Sequence, residues 1–223
     1  MNILLLTKKN KICDKAKKLV QDKFDHPLII QGSVNDPIPE EVKNWRGDYL
    51  LSFLSPWIIP EEVIKQAEVS SLNFHPGSPK YPGISCYNFA LYNNEKEYGV
   101  TCHEMTGEID SGKIIKTHKF PINENETVLT LKKKSRKYLL DLFKEIIEQI
   151  ENGYNLTFSK EKWKRKPYTK KDLQAICKID LNMPKNEIFR RIKATYHPTG
   201  PDYPFITYKE KKIILKEISI EKL

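Results

Sequence analysis

Glycine is scarce where a nucleotide cofactor would need it. The 223-residue chain holds only 9 glycines, and the turn after its first apolar run, residues 7–10, has none. A GxGxxG fingerprint is therefore absent, and NAD or FAD binding has no support. Cysteine is equally sparse: Cys13, Cys86, Cys102 and Cys177 are the whole complement. No two of them form a CxxC pair, so a zinc site or a thioredoxin-like redox pair is not expected, and they read as reduced, packed thiols. The 5 histidines are too scattered for a metal cluster, and no metal is expected. Long apolar runs are missing as well. Stretches such as Ile3 to Leu6 are far too short to cross a bilayer, and MNILLLTKKN has too few apolar residues before its lysines for a secretory signal. The expectation is a soluble, cytoplasmic protein with no membrane partner.

Arginine is the last shortage. Arg46, Arg136, Arg165, Arg190 and Arg191 are the only arginines among 38 basic residues. A net charge of +9 invites a nucleic-acid reading. Bidentate contacts to phosphates and bases favour arginine over lysine, however, so the excess reads as a solvated lysine surface. Nucleic acid is not the expected partner.

What is present is a chain with 39% hydrophobic and 30% charged residues, enough for a packed core. Apolar runs at 2–7, 26–31, 48–54 and 70–74 alternate with helical patterns, as a parallel sheet covered on both faces requires. Residues 60–67 predict a short helix opened by proline, 85–92 a helix, 99–105 a strand and 113–120 another. Thr127 should cap a long amphipathic helix in which Leu131, Tyr138, Leu142, Ile146 and Ile150 recur at near-helical spacing, with Gly153 ending it. The predicted fold class is α/β: a doubly wound, Rossmann-like, mostly parallel sheet with a small C-terminal helix plus β-hairpin subdomain. We divide the chain into a catalytic domain at 1–155, a basic connection at 156–178 and a small subdomain at 179–223. Within the connection, residues 160–171 surround Trp163 and Tyr168 with lysines and read as exposed. The terminal helix (186–196) and hairpin (203–218) can bury little alone. The hairpin is therefore expected to pair with its copy in a homodimer.

Ligands of open α/β sheets gather beyond the carboxyl ends of the strands. The fourth strand ends in Asn73-Phe74-His75. Residues i and i+2 share a face, so the amide and the imidazole should project together while Phe74 packs away. His75 opens a loop, 75–83, with three prolines and two glycines, irregular by composition and the usual seat of a working side chain. Asp110 lies in a glycine-flanked loop, 107–112, after the next strand. Singly, Asn73 could cap a strand end, His75 could be a bonded surface histidine and Asp110 a turn former. An amide, an imidazole and a carboxylate from two strand ends form a constellation with a chemical use. His103 and Glu104, on opposite faces of a strand, read as structural.

Asn73-Phe74-His75 with its Pro/Gly loop, Tyr98-Gly99-Val100-Thr101 and Ile109-Asp110-Ser111-Gly112 together resemble the formyltransferase family that uses 10-formyltetrahydrofolate. That family includes the glycinamide ribonucleotide, methionyl-tRNA and nucleotide-linked sugar N-formyltransferases. The similarity runs over most of residues 1–150 and weakly through 179–208. It implies a catalytic triad of Asn73, His75 and Asp110, and 10-formyltetrahydrofolate, a reduced folate, as co-substrate. An amine would attack the formyl carbon. Asn73 and protonated His75 would donate to the resulting oxyanion, and Asp110 would favour the imidazolium and help move the proton lost by the amine. The resemblance places the pterin between Phe53-Leu54-Ser55 and Gly107-Glu108-Ile109, although core packing explains Phe53 and Leu54 equally well.

The chain departs from the family at the substrate side. The family commonly reads His-x-Ser-Leu-Leu-Pro, then an aromatic and arginine before the glycine. Here the stretch is His75-Pro76-Gly77-Ser78-Pro79-Lys80-Tyr81-Pro82-Gly83, shorter and without arginine. Lys80 and Tyr81, with Lys9 in the first turn, are the candidates to meet a diphosphate or base. The glycine-rich phosphate loop of the purine-pathway enzyme is missing, and the tail is too short for the RNA-binding barrel of the tRNA enzyme. The resemblance therefore implies a small-molecule nucleotide-linked amino sugar as substrate, a dTDP-4-amino-4,6-dideoxyhexose feeding a surface polysaccharide such as O-antigen. Methionyl-tRNA formylation and a non-catalytic basic RNA-binding module are the alternatives.

Overall fold

In the first strand, β1 (Ile3–Lys8), Ile3 and Leu5 join one hydrophobic cluster while Leu4 and Leu6 join another. Side chains of a strand alternate between faces, so two apolar sets from one strand require helices on both sides of the sheet. The computed structural model describes residues 1–198 and 203–216. After β1 come α1 (Lys11–Lys23), β2 (Leu28–Gly32), α2 (Glu40–Asn44), β3 (Gly47–Phe53), α3 (Glu61–Ile64), β4 (Ala67–His75), α4 (Cys86–Tyr92), β5 (Glu97–Glu104), β6 (Ile114–Pro121) and α5 (Val128–Glu151). Then follow α6 (Lys170–Cys177), α7 (Lys185–Thr195), β7 (Phe205–Tyr208) and β8 (Lys211–Ile214).

The sheet runs β2-β1-β3-β4-β5-β6. Its first four strands are parallel; β5 is antiparallel to β4, and β6 to β5. The larger core lies between the sheet and α1, α4 and α5, and the smaller one between the sheet and α2 and α3. This is the doubly wound, mostly parallel α/β arrangement that the alternating pattern predicts, with a C-terminal hairpin. Thr7 pairs with Phe53, and Phe53 with Phe74. The next residue on each strand, Lys8, Leu54 and His75, therefore lies at the same level along one edge of the sheet.

α5 explains why that edge is rigid. Thr127 caps it through a reciprocal capping box with Thr130, and Gly153, at φ 70°, follows its C-terminal cap. Phe143 on its buried face meets Phe53 and Phe74 at centroid separations of 4.8 and 4.7 Å. The residue between Asn73 and His75 is thereby pinned to the helix. Ser135 adds a tie from the same helix, its hydroxyl donating to the Pro76 carbonyl at 2.8 Å.

The structure differs from the expected exposed connection. Residues 156–169 run as a strap along β6 and the loop after β4: the amide of Ser159 donates to Ile114 O, that of Lys164 to Pro79 O and that of Tyr168 to Pro82 O. Tyr168 stacks on Phe89 at 3.6 Å. The strap ends in a helix, α6, that the lysine-rich composition hides. Thr169 and Asp172 form its capping box, and Leu173, Ile176 and Cys177 are its buried face. α7 rests on α4, with the Asn88 amide donating to Ala194 O at 2.8 Å and the Tyr92 hydroxyl to Glu187 at 2.8 Å.

β7 and β8 form an antiparallel hairpin turning at Lys209 and Glu210, both at positive φ (43° and 62°), as a two-residue hairpin turn requires. Its Tyr208, Ile213 and Ile214 are exposed. Residues 217 and 218 of the expected hairpin lie outside the described residues, as do 199–202 and the rest of the C-terminus. Among the described residues, no helix is long and apolar enough to cross a membrane, and all four cysteines are buried free thiols.

Candidate active site

Asn73 and His75 sit at the carboxyl end of β4, held by Phe74 as described. Asp110 reaches them from the loop after β5, in a left-handed conformation (φ 44°) that aspartate tolerates better than most residues. The loop is braced internally: Thr106 Oγ1 and Ser111 Oγ are 2.6 Å apart, and the Ser111 hydroxyl also bonds Glu108 O at 3.0 Å. Gly112 lets the chain pass against β5; a Cβ there would collide with the Glu104 carbonyl, 2.8 Å from its carbon.

The carboxylate of Asp110 is the hub. Its Oδ2 lies 3.1 Å from His75 Nδ1 and accepts the Gly83 amide at 2.6 Å. Its Oδ1 lies 3.2 Å from His103 Nε2 and 3.4 Å from Asn73 Nδ2. The structure thus brings together Asn73, His75 and Asp110. Burial pushes the Asp110 carboxyl up, but the charge of His75, the bond and charge of His103 and the Gly83 amide together outweigh it, holding the pKa down at about 2.

His75 is fully enclosed. Its Nε2 faces the Tyr81 carbonyl at 2.9 Å, so both ring nitrogens meet acceptors and the imidazolium satisfies both contacts. Burial works against that charge and draws the His75 pKa below its ordinary value, while Asp110 and the Tyr81 carbonyl pull it up. Gly77 makes this enclosure possible: a Cβ there would run into His75 Nε2 and lie 2.8 Å from Cys86 Cβ.

His103, read from sequence as structural, belongs to the site. Its Nδ1 is 2.7 Å from Glu104 O and its Nε2 is 3.1 Å from Asn73 Nδ2. The Ser52 hydroxyl donates to Asn73 Oδ1 at 2.9 Å. Ser52 gives to Asn73 Oδ1, and His103 Nε2, between Asn73 Nδ2 and Asp110 Oδ1, accepts from the first or donates to the second according to its protonation. The Ser52 bond fixes which way the Asn73 amide points, with its Nδ2 toward both His103 and Asp110. The pairing of Asn73 with His103 across β4 and β5 is what position along one strand could not reveal.

Trp163, expected in an exposed connection, also belongs here. Its ring meets His103 edge-on at 4.9 Å and His75 at 5.8 Å, and its indole N–H donates to Gly112 O at 2.8 Å. It walls the two imidazoles and ties the Asp110 loop to the strap. We expect Trp163→Ala to fold yet lose roughly tenfold or more in kcat/KM as the imidazoles gain freedom, with Trp163→Phe recovering most of it. Equal loss in both variants would assign the effect to the indole N–H alone.

The other predicted residues divide. Phe53 is a core residue: its ring packs on Phe74 and Phe143, and its carbonyl is taken by the Thr7 hydroxyl at 2.7 Å. Leu54 stands at φ 52°, a conformation a bulky side chain rarely holds, and Ser55 Oγ accepts the Trp57 amide. Gly107, Glu108 and Ile109 are exposed. Gly107 closes on the start of α3, where a Cβ would lie 2.8 Å from a Glu61 carboxylate oxygen. Lys80 pairs with Glu95 at 2.9 Å, and the Tyr81 hydroxyl, on a side chain only 2% exposed, donates to the same carboxylate at 2.9 Å. Neither side chain joins the triad; Tyr81 acts through its backbone carbonyl. Lys9 is exposed at the end of β1. Among the described residues, no group of three or more His, Cys, Asp or Glu side chains is disposed to hold a metal ion.

The chemistry this arrangement can do is stabilisation of a buried negative centre by an oriented amide and an imidazole paired with a carboxylate. Comparison with known proteins bears on what the centre is. The sequence pattern described as formyl transferase matches residues 2–147. The bifunctional polymyxin resistance protein ArnA of Wigglesworthia glossinidia brevipalpis is 34% identical over 184 residues, 79% of this chain and 27% of that protein. The chain thus spans about a quarter of that relative's length. Among solved structures, a sugar N-formyltransferase from Shewanella sp FDAARGOS_354 shares the fold with a TM-score of 0.78 at 22% identity, covering 97% of both chains. A 4-N formyltransferase from Francisella tularensis gives 0.76 at 20% identity over 96% of both. The N-formyltransferase from Helicobacter canadensis, in complex with folinic acid and dTDP-3-aminofucose, gives 0.73 at 24% identity, covering 96% of this chain and 87% of that one.

Proposed function

The chain belongs to the formyl transferase family, and from that premise we propose that it moves a formyl group from 10-formyltetrahydrofolate to the primary amine of a nucleotide-linked sugar, a dTDP-4-amino-4,6-dideoxyhexose. The observation that carries this reading is the convergence of Asn73, His75 and His103 on the single buried carboxylate of Asp110. The presence of a formyl-folate and a dTDP-amino sugar in the Helicobacter canadensis relative supports both halves of the substrate pair.

In this reaction the amine nitrogen bonds to the formyl carbon and the carbonyl π pair moves to oxygen. The oxyanion is met by the Asn73 N–H that otherwise makes the long 3.4 Å contact to Asp110 Oδ1 and by the charge that His75 gains with the amine's proton, in a site with little water to screen them. The amine gives its proton to neutral His75 beside the Asp110 carboxylate, and the imidazolium passes that proton to the folate nitrogen as the bond from the formyl carbon to that nitrogen breaks. His103 and Ser52 act on the Asn73 amide and are positioning residues. The pterin lies along Leu54, Ser55 and Gly107 to Ile109, with Phe53 supporting from the core; the left-handed Leu54 is the backbone feature that marks this loop.

The test is a panel of dTDP-, UDP- and GDP-amino sugars, with charged initiator tRNA, each assayed against the formyl-folate donor. Formylation of a dTDP-amino sugar is the expected result. Turnover of the tRNA alone would replace the substrate, and turnover of none would remove the reading.

A further inference from the structure

The edge that carries His75 at β4 carries Lys8 at β1, at the same register level and two strands away, or roughly 10 Å at the usual strand spacing. Facing that end of the sheet is the first half of α5, where Lys132 and Arg136 stand four residues apart on one helical face. Between them Ser135 holds Pro76, the residue after His75. His197, buried beyond the end of α7, closes the group, its imidazole within reach of the charges of Lys132 and Arg136.

These groups are half-buried or buried, and like charges one helical turn apart cost stability rather than add to it. Among the described residues, neither Lys8 nor Lys132 pairs with a carboxylate, and Arg136 Nε is buried without a hydrogen-bond partner. Burial, followed by mutual repulsion with Arg136, lowers the pKa of both Lys8 and Lys132. By contrast, the half-buried Lys116 and Lys134 pair with Glu145 and Glu126. Partly buried cations such as Lys8 and Lys132, with no carboxylate partner among the described residues, carry a desolvation cost that an external anion offsets.

We propose that Lys8, Lys132, Arg136 and His197 form the subsite for the diphosphate of the sugar substrate, an assignment that rests on the nucleotide-sugar reading above. The separation fits that role: a sugar ring is long enough to put its amine at the triad while its diphosphate reaches Lys8 and Arg136. Lys8, not the exposed Lys9, is then the first-strand residue that meets phosphate, and the arginine missing from the loop before Gly83 is replaced by one on α5.

Calorimetric titration of the full chain with inorganic pyrophosphate, with dTDP and with folinic acid tests this. In Arg136→Met and in Lys132→Met, the Kd for pyrophosphate and for dTDP should rise about tenfold or more, the loss of one charged hydrogen bond. Folinic acid binding should not change, and the unliganded Tm should hold or rise as repulsion is relieved. Unchanged pyrophosphate and dTDP affinity in both variants overturns the subsite and leaves formyl transfer standing. Loss of binding to an RNA stem-loop, with pyrophosphate unaffected, overturns it in favour of a polynucleotide. Failure of the unaltered protein to bind folinic acid removes the reading on which the subsite rests.

Discussion

Asp110→Asn should give a folded protein whose turnover is lower by about a thousandfold or more, the size of effect seen when a charged group that orders a catalytic centre is neutralised. The substitution keeps the shape but removes the charge that raises the His75 pKa against burial, and it puts an N–H donor on one side of a group that accepts the Gly83 N–H and faces His75, His103 and Asn73. Turnover within tenfold of the unaltered enzyme would show that the proton is managed elsewhere. The same variant has a signature in stability. The carboxyl titrates at about 2 when folded and near 3.9 when unfolded. Its contribution, on the order of 2 kcal/mol, is therefore fully present above pH 4 and disappears as pH falls towards 2. Urea midpoints measured from pH 5 to pH 2 should fall less steeply for the asparagine variant than for the unaltered chain.

The second large effect is expected at Gly83. Its φ is 86°, and an added Cβ would meet the Tyr168 carbonyl oxygen and lie 2.6 Å from the Tyr168 nitrogen, where the two residues form a parallel bridge. Gly83→Ala must therefore both hold a left-handed conformation, at about 1 kcal/mol, and push the strap away. Pushing it away frees Tyr168 from Phe89 and withdraws from Asp110 the amide that binds it at 2.6 Å. A loss of roughly 2–4 kcal/mol, with activity falling by about a hundredfold or more, is the expected outcome. Gly153→Ala is the internal control: it has a similar φ of 70° but nothing within 4 Å of its Cβ position. It should lose about 1 kcal/mol and no activity. Equal loss in the two variants would mean that the strap does not press on Gly83.

The strap also explains why a basic stretch misleads a reader of sequence. Lysines around Trp163 and Tyr168 are what a solvated linker looks like, and most of those lysines are solvated. The two aromatics face the other way, Tyr168 onto Phe89 and Trp163 onto the imidazoles. The signal available was the capping pair of Thr169 and Asp172 ahead of Leu173, Ile176 and Cys177, which marks a helix start at the end of the run.

Local rules carried much of the protein. Continuous apolar runs named the strands that become the parallel part of the sheet, because both their faces are buried, and a near-3.6 period named the long helix α5, because one of its faces is. Asn73, His75 and Asp110 stood out because strand ends and glycine-flanked loops are legible over a few residues. Tertiary structure alone decided that His103 meets Asn73, that the Tyr81 carbonyl rather than its ring meets His75, and that Lys8 comes near Lys132 and Arg136. Each of these depends on register between strands or on helix rotation across a hundred or more residues in some cases. A side chain's neighbours at that distance are set by packing of the whole core, and no local pattern encodes them.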